Sequence, residues 1–213
     1  MDRIERLLPE DIERRSFEII SEELDRRGIR LSAEEEMITK RVIHTSADFD
    51  YAGTLVYSRN AVAIIKSLIL HGADIVTDTN MAFAGINKKV LAGYGGQAHC
   101  FMADEEVALS AGEQNTTRAA VSMDKAAKLS KPVIFAIGNA PTALIRLYEI
   151  LKSSSWKPAF IIGVPVGFVN VEAAKELIMT AEVPYIINLG RKGGSNVAAA
   201  ICNAVLYELR KER

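Results

Sequence analysis

The stretch Arg41–Gly53, RVIHTSADFDYAG, carries the residues best suited to acid–base chemistry. His44 is one of only three histidines in the chain, with His71 and His99. An imidazole, whose unperturbed pKa is roughly 6.5, can exchange a proton near neutral pH. Arg41 precedes His44 by three residues, which puts both side chains on one face of a helix. His44 is therefore our candidate acid–base residue, and a structural histidine at a helix end is the alternative.

The remaining histidines and cysteines favour structural roles. We expect His71 at the C-terminus of a helix, where the macrodipole favours a cation, and His99 inside a strand. His99 and Cys100 are neighbours in that strand, so their side chains point to opposite faces. Cys202 lies in an apolar helical segment and is most simply a core residue. Because the motifs C-x-x-C, H-E-x-x-H and G-x-S-x-G are absent from the sequence, we predict no metal site and no nucleophile elbow.

Composition excludes several classes of protein. The chain has 213 residues, a net charge of -1, and acidic and basic residues that are interspersed, which argues against a nucleic-acid partner. No apolar run approaches the ~20 residues of a membrane span, and the N-terminus lacks the apolar segment of a secretory signal. Two cysteines make no disulfide framework. We predict one cytoplasmic domain over residues 1–213, with no membrane partner.

Hydrophobic patterns predict helices first and then alternating strands and helices. We expect helices over residues 10–27, from Ser32 to about His44, and over residues 59–71. Glu35 would complete a capping box with Ser32, and Ser58 would cap the third helix. In the first helix the residues spaced along one side are Ile12, Ser16, Ile19, Ile20 and Glu23. The buried strands are expected in ADIVTD, QAHCFM, PVIFAIG, AFIIGVP and YIINLG. This alternation predicts an α/β fold, a three-layer single domain with a mainly parallel sheet flanked by helices.

The loops after these strands suggest an anionic ligand. They read DTNM, GNAPTA, GVPVGFVN and GRKGGSN, and are rich in glycine, asparagine and proline. Ligands of open α/β sheets bind at the carboxyl ends of the strands, where glycines allow close approach and free N–H groups attract anions. Neither G-x-G-x-x-G nor a Walker motif occurs. Ordinary turn composition is the alternative for each loop. The residues alone indicate an α/β enzyme acting on an anionic small molecule.

Six motifs in order give a more specific indication. They are IERRSFEII, RVIHTSADFDYA, NTTRAA, AIGNAPTAL, GVPVGFVNVEAAKE and GRKGGSNVAAA. With these motifs the chain resembles, over almost its full length, the precorrin-8X methylmutase family of cobalamin biosynthesis, which includes the cobalt-precorrin-8 methylmutases. The segment HTSADFDYA is more similar to the cobalt-dependent members.

The resemblance implies an isomerase that moves a methyl group between adjacent carbons of a contracted tetrapyrrole ring. The shift is sigmatropic and gives cobyrinate, or hydrogenobyrinate when the ring holds no metal. It implies no cofactor, since any cobalt is carried by the tetrapyrrole substrate, and it implies a homodimer with a mainly parallel α/β fold. Such a shift needs no nucleophile or hydride donor, but it does need the right tautomer of the ring, which one proton donor can select.

The resemblance also assigns site residues. The catalytic histidine of the family falls on His44, and its substrate-contacting serine and arginines fall on Ser16, Arg41 and Arg118. Further substrate-binding candidates are Thr45 and Asn139, and weaker ones are Arg191, Lys192, Gly193 and Ser195. The alternatives are close helix packing for Ser16, a surface ion pair for Arg41 and a solvated helix start for Arg118. A corrinoid carrier without catalysis and an unrelated α/β enzyme remain the rival functions.

Overall fold

A single six-stranded sheet runs through the computed structural model, which describes residue 5 and residues 7–211. The strand order is β1-β6-β5-β4-β2-β3, and every neighbouring pair is parallel except β1 with β6. The strands are β1 (Leu55–Tyr57), β2 (Asp74–Thr77), β3 (Ala98–His99), β4 (Val133–Ile137), β5 (Phe160–Gly163) and β6 (Tyr185–Asn188). That residues 1–213 form one domain stays a prediction for the ends of the chain.

Helices cover both faces of this sheet. One face carries α1 (Pro9–Arg26), α2 (Glu36–Ser46), α3 (Tyr51–Thr54), α4 (Ala61–Leu70), α5 (Asn80–Gly85), α6 (Lys88–Ala92) and α11 (Ser195–Lys211). The other carries α8 (Arg118–Ala126), α9 (Pro141–Ser153) and α10 (Val171–Met179), and α7 (Glu105–Glu113) packs beside α8. Strand β4 alternates between the layers, with Ile134 in one core and Phe135 in the other. The predicted three-layer α/β fold with a mainly parallel sheet is confirmed.

Three local predictions about the N-terminal half were wrong. Helix α2 begins at Glu36, because Ser32 starts a preceding turn in which its carbonyl accepts the N–H groups of Glu35 and Glu36. No capping-box hydrogen bond forms there. Helix α4 is capped at Asn60, because the hydroxyl of Ser58 instead accepts the N–H of Tyr185 at 2.9 Å.

The first helix turns part of its apolar side outward. Ile20 and Leu24 are buried against the core, whereas Ile12 is 54% and Ile19 is 44% exposed. Two strands also differ from the prediction. The short antiparallel β1 was missed, and the segment QAHCFM forms a strand only at Ala98–His99.

No helix between Pro9 and Lys211 is long and apolar enough to cross a membrane.

A buried carboxylate fixes the loops at the carboxyl edge of the sheet. Asp78, which follows β2, is fully buried and accepts the N–H groups of Gly138, Asn139 and Ala140 at 2.9, 2.8 and 2.6 Å. Burial raises the pKa of the Asp78 carboxyl, and the three N–H donors act in the opposite direction. Gly138 in turn lies against the backbone of Ser195, where a Cβ atom would clash. Asp78 therefore links its own loop to the loop after β4, and that loop packs in turn against the start of α11.

We expect the substitution Asp78→Ala to lower the free energy of unfolding by about 3 kcal/mol, because three N–H donors, of which that of Gly138 is buried, lose their acceptor. Urea-induced unfolding followed by circular dichroism measures this change. Asp25→Ala is the matched control, because Asp25 is exposed on α1; we expect it to stay within about 0.5 kcal/mol of the wild type. Equal effects of the two substitutions would contradict the role given to Asp78.

Candidate active site

The ring of Phe17 on α1 contacts both candidate residues of α2, His44 and Arg41. The rings of Phe17 and His44 are 5.4 Å apart between centroids and tilted by 30°. The guanidinium carbon of Arg41 lies 5.1 Å from the Phe17 centroid and 5.2 Å from that of Tyr207 on α11. His44 itself is exposed in the last turn of α2. The imidazole can therefore reach a ligand, while Phe17 limits its orientation.

Arg41 lies deeper in the protein than a surface arginine. Its side chain is 14% exposed, and its Nη1 donates to Glu13 Oε1 at 2.6 Å. Its Nε is buried and has no hydrogen-bond partner within the part of the chain that the structure describes. The ion pair that sequence reasoning kept as the alternative is present. The same guanidinium is nevertheless a strong site for a carboxylate, since it is partly desolvated and its Nε–H is unused.

The other two candidates on these helices differ in accessibility. Ser16 is half-buried, and its hydroxyl donates to the carbonyl of Ile12 at 2.9 Å. That oxygen keeps its lone pairs for a ligand donor. Thr45 follows His44 and is exposed. Ser16 is therefore on α1 beside Phe17, and Arg41, His44 and Thr45 are on α2, where Arg41 and His44 contact the Phe17 ring.

A second group lies where the strands end. Gly193 follows β6 at φ +158°, so close to the carbonyl of Val164 that a Cβ atom would clash. Ser195 opens α11, and its hydroxyl is hydrogen-bonded to that of Thr79 at 2.8 Å. Asn139 is exposed in the neighbouring loop, which Asp78 orders. The hydroxyl of Ser195 is thus already hydrogen-bonded to Thr79, whereas the side chain of Asn139 is open to a ligand.

The two predicted arginines of this edge are both exposed. Arg191 pairs with Glu172 at 2.9 Å and lies over the ring of Phe168, 5.7 Å from its centroid. Arg118 is the first residue of α8 and forms no ion pair with any residue of the described ranges. Thr117, just before it, donates to Thr142 of α9 at 2.9 Å. Arg118 is therefore near the loop of Asn139, at the margin of the group.

Lys192 connects the two groups. Its Nζ donates to Asp48 Oδ2 and to Asp50 Oδ2, both at 2.6 Å, in the segment that follows His44. Asp48 and Asp50 raise the pKa of the Lys192 ammonium, and Lys192 lowers the pKa of the Asp48 carboxyl. The backbone adds a further link, because the N–H of Leu189 donates to the carbonyl of Thr54 at 2.8 Å. The segment after His44 and the loop of Gly193 are therefore held together.

Sequence reasoning missed the residues that support this arrangement. Phe17 stands beside Ser16 in the motif IERRSFEII, and its spacing from the residues of α2 is visible only in the fold. Asp78 begins the loop DTNM, but nothing local marks it as the acceptor of N–H groups 60 residues away. Lys175, in GVPVGFVNVEAAKE, is buried, which its lysine type does not predict.

His71, His99 and Cys202 lie in the elements predicted for them, whereas Cys100 follows β3 and is not part of the strand. His71 caps the C-terminus of α4, with Nδ1 2.7 Å from the Ser67 carbonyl. His99 lies in β3, with Nε2 3.2 Å from Asp74 Oδ2. Cys202 is buried in α11, and burial raises the pKa of its thiol to about 12. Among residues 5 and 7–211 we find no group of three or more histidine, cysteine or acidic side chains placed to hold a metal ion.

We expect Phe17→Ala to move the His44 ring-proton resonances downfield, because the imidazole loses the shielding face of the phenyl ring. Two-dimensional NMR of the histidine ring protons measures the shift. Phe101→Ala is the matched control, because Phe101 stacks on His99 with centroids 5.8 Å apart. Each substitution should move the resonances of its own histidine only. An unchanged His44 spectrum in Phe17→Ala would show that the stacking does not persist in solution.

Known proteins share this fold and sequence over nearly the whole chain. The family model for precorrin-8X methylmutase matches residues 11–208. A cobalt-precorrin-8 methylmutase of Salmonella typhimurium is 44% identical over 207 residues, covering 95% of this chain and 97% of that protein. A precorrin-8X methylmutase of Pseudomonas aeruginosa is 36% identical and covers 92% of this chain and 94% of its own.

A solved structure agrees with these matches. The precorrin-8X methyl mutase of Thermus thermophilus superimposes with a TM-score of 0.85 at 34% identity, covering 95% of this chain and 98% of that one. Sequence and fold therefore agree over the region that holds the α1–α2 contact and the strand-end loops, and the chain belongs to the precorrin-8X methylmutase family.

Proposed function

We propose that this methylmutase, an isomerase of cobalamin biosynthesis, acts on cobalt-precorrin-8 and moves a ring methyl group to give cobyrinate. The substrate is named for the Salmonella typhimurium relative, which is 44% identical. The relative named for precorrin-8X in Pseudomonas aeruginosa is 36% identical, so rearrangement of the metal-free ring to hydrogenobyrinate is the second candidate. The observation that carries the proposal is the exposed His44 on the Phe17 ring, one turn from a partly desolvated Arg41.

His44 would act as the general acid of the rearrangement. Migration of the methyl group breaks one carbon–carbon bond of the ring and forms another, and the mass does not change. The protein's contribution is to select the reactive tautomer, and a proton given to or held at the macrocycle by His44 Nδ1 or Nε2 does this. The tilted contact with the Phe17 ring restricts the orientations in which the imidazole can meet the substrate.

The acetate and propionate arms of a tetrapyrrole rim would bind the surrounding donors. Arg41 offers the accessible part of its guanidinium, and Ser16 and Thr45 offer hydroxyl oxygens on the same two helices. At the strand ends, the backbone N–H groups of Arg191, Lys192 and Gly193 donate to no described residue. Two clusters of donors on either side of His44 suit a large anionic ring better than a small metabolite.

Catalysis would need no organic cofactor. A methyl shift within one molecule requires no hydride, phosphoryl or acyl carrier, and His44 supplies the only proton transfer that the proposal uses. Any cobalt would arrive inside the substrate, so the protein has no need to supply ligands for it. We also propose that the enzyme works in the cytoplasm without a nucleic-acid or membrane partner, in agreement with its net charge of -1.

We further propose that the enzyme is a homodimer that pairs through α1. The exposed apolar stripe on this helix consists of Leu8, Ile12 and Ile19, which are 61%, 54% and 44% exposed. Such a stripe on a helix with polar flanks supports a protein–protein contact.

Mixing the protein under anaerobic conditions with cobalt-precorrin-8 and, separately, with precorrin-8X tests the reaction. The visible spectrum should change to that of the rearranged ring, the product mass should equal the substrate mass, and the cobalt form should react faster. A spectral shift without isomerised product would favour a carrier protein. No change with either substrate, from folded protein, would overturn the assignment to a tetrapyrrole.

We expect His44→Asn to bind the ring but to turn it over at least about 100-fold more slowly, because the general acid is lost. Binding is followed by the spectral shift on mixing, and turnover by product formation. His71→Asn is the matched control, because His71 is exposed at the C-terminus of α4 and should leave both quantities unchanged. Unimpaired turnover by His44→Asn would refute the assignment of the acid.

We expect Ile12→Glu to convert the dimer into a monomer, because it places a charge in the centre of the apolar stripe. Light scattering coupled to gel filtration gives the mass of each species. Leu109→Glu is the matched control, since Leu109 is 63% exposed on α7, away from the stripe. A monomeric wild type, or a dimer that survives Ile12→Glu, would contradict pairing through α1.

A further inference from the structure

Lys175 is a buried cation that the proposed reaction does not use directly. It lies on α10, is 1% exposed, and forms no ion pair with any described carboxylate. Its Nζ donates instead to two backbone carbonyls of the loop after β6, those of Gly190 at 2.6 Å and Lys192 at 3.0 Å. Burial of the charge is unfavourable and lowers the pKa of the Lys175 ammonium to about 8, although the charge of Glu172 acts in the opposite direction. Because burying this charge lowers the stability of the fold, core packing alone does not explain the presence of Lys175.

A second buried donor acts on the same loop from the sheet. Asn188, the last residue of β6, donates its Nδ2 to the carbonyls of Lys192 at 2.8 Å and Leu189 at 3.1 Å. Its Oδ1 accepts the hydroxyl of Thr54 at 2.7 Å. The carbonyl of Lys192 therefore accepts from two buried side chains, one on α10 and one on β6.

These contacts determine how the loop faces a ligand. Because the carbonyls of Gly190 and Lys192 point to Lys175 inside the protein, the N–H groups of the same two peptide units, those of Arg191 and Gly193, point away from it and have no described acceptor. Backbone amides held apart from carbonyls in this way form a concave site for an anion. The ammonium beneath them adds positive charge at short range.

We propose that Lys175 is a positioning residue, whose buried ammonium holds the loop of Arg191 and Gly193 in the conformation that binds a carboxylate arm of the substrate. This inference rests on the proposed function only for the identity of the ligand. If Lys175 acted solely on core packing, its replacement would lower global stability without a separate effect on the loop. The two possibilities differ in local hydrogen exchange and in KM.

The first experiment compares Lys175→Met and Lys175→Arg with Lys157→Met. Lys157, whose side chain is 56% exposed, is the matched control. Without substrate, exchange of the Leu189 and Gly194 amides, which donate to Thr54 and Val164, should be at least about tenfold faster in Lys175→Met. With substrate, KM should rise about tenfold, with a smaller change in kcat. Lys175→Arg should recover part of both effects because it keeps the charge.

Exchange that is unchanged at these two amides in folded Lys175→Met would overturn the proposal, whatever the enzyme's substrate. Faster exchange at every amide alike would also overturn it, because it would indicate a loss of global stability only. Faster exchange confined to the loop would support the positioning role even if neither precorrin is converted. The failure of the proposed function is thus distinguishable from the failure of this inference.

The second experiment measures how KM of the wild-type enzyme depends on pH. Raising the pH through about 8 removes the Lys175 proton, since burial lowers its pKa, so KM of the wild type should rise on the alkaline side. The charged group that acts on this pKa is Glu172 on α10, which raises it, and Glu172 itself pairs with Arg191 of the loop. Lys175→Arg keeps its charge there and should show a flat KM. A wild-type KM that is flat between about pH 7 and 9.5 would overturn the role of the charge.

Discussion

The candidate site depends on a carboxylate buried where the parallel strands end. Parallel strands deliver their loops to one edge, but they leave the backbone N–H groups there without partners. Asp78 accepts three of these groups from the loop after β4, and that loop lies against the first residue of α11. The tight packing of glycines at this edge is possible because one side chain satisfies the polar groups. Rigid loops then present donors to a ligand at little entropic cost.

The two clusters of candidate residues, one on α1 and α2 and one in the loops at the strand ends, come from different parts of the fold. Helices α1 and α2 bring His44, the proposed acid, and one arginine, and the sheet brings the loop after β6. Lys192 joins them by donating to two aspartates that follow His44. A large ring is well matched to this arrangement, because its reacting carbon and its charged rim are far apart. The same arrangement explains why neither group alone carries a standard nucleotide motif.

The sheet and its two helical layers could be predicted from the sequence because apolar runs such as VIFAI are a local property. The candidate residues around His44 could be predicted because they lie in ordered motifs. The start of α2 could not, because Ser32 uses its carbonyl in a preceding turn rather than its side chain in a cap. Phe17, Asp78 and Lys175 could not either, since each acts through partners distant in sequence. Long-range contacts of this kind have no local pattern.

The contact between Glu13 and Arg41 has a consequence for turnover. Glu13 already accepts from Nη1 of the guanidinium. If a substrate arm binds Arg41 as we propose, it exchanges with Glu13 rather than filling a bare positive site. The free energy of that exchange would be a small difference between two similar ion pairs. Since substrate and product would carry the same arms, Glu13 would compete with both equally and would keep a highly charged ring from remaining bound after its methyl group has moved.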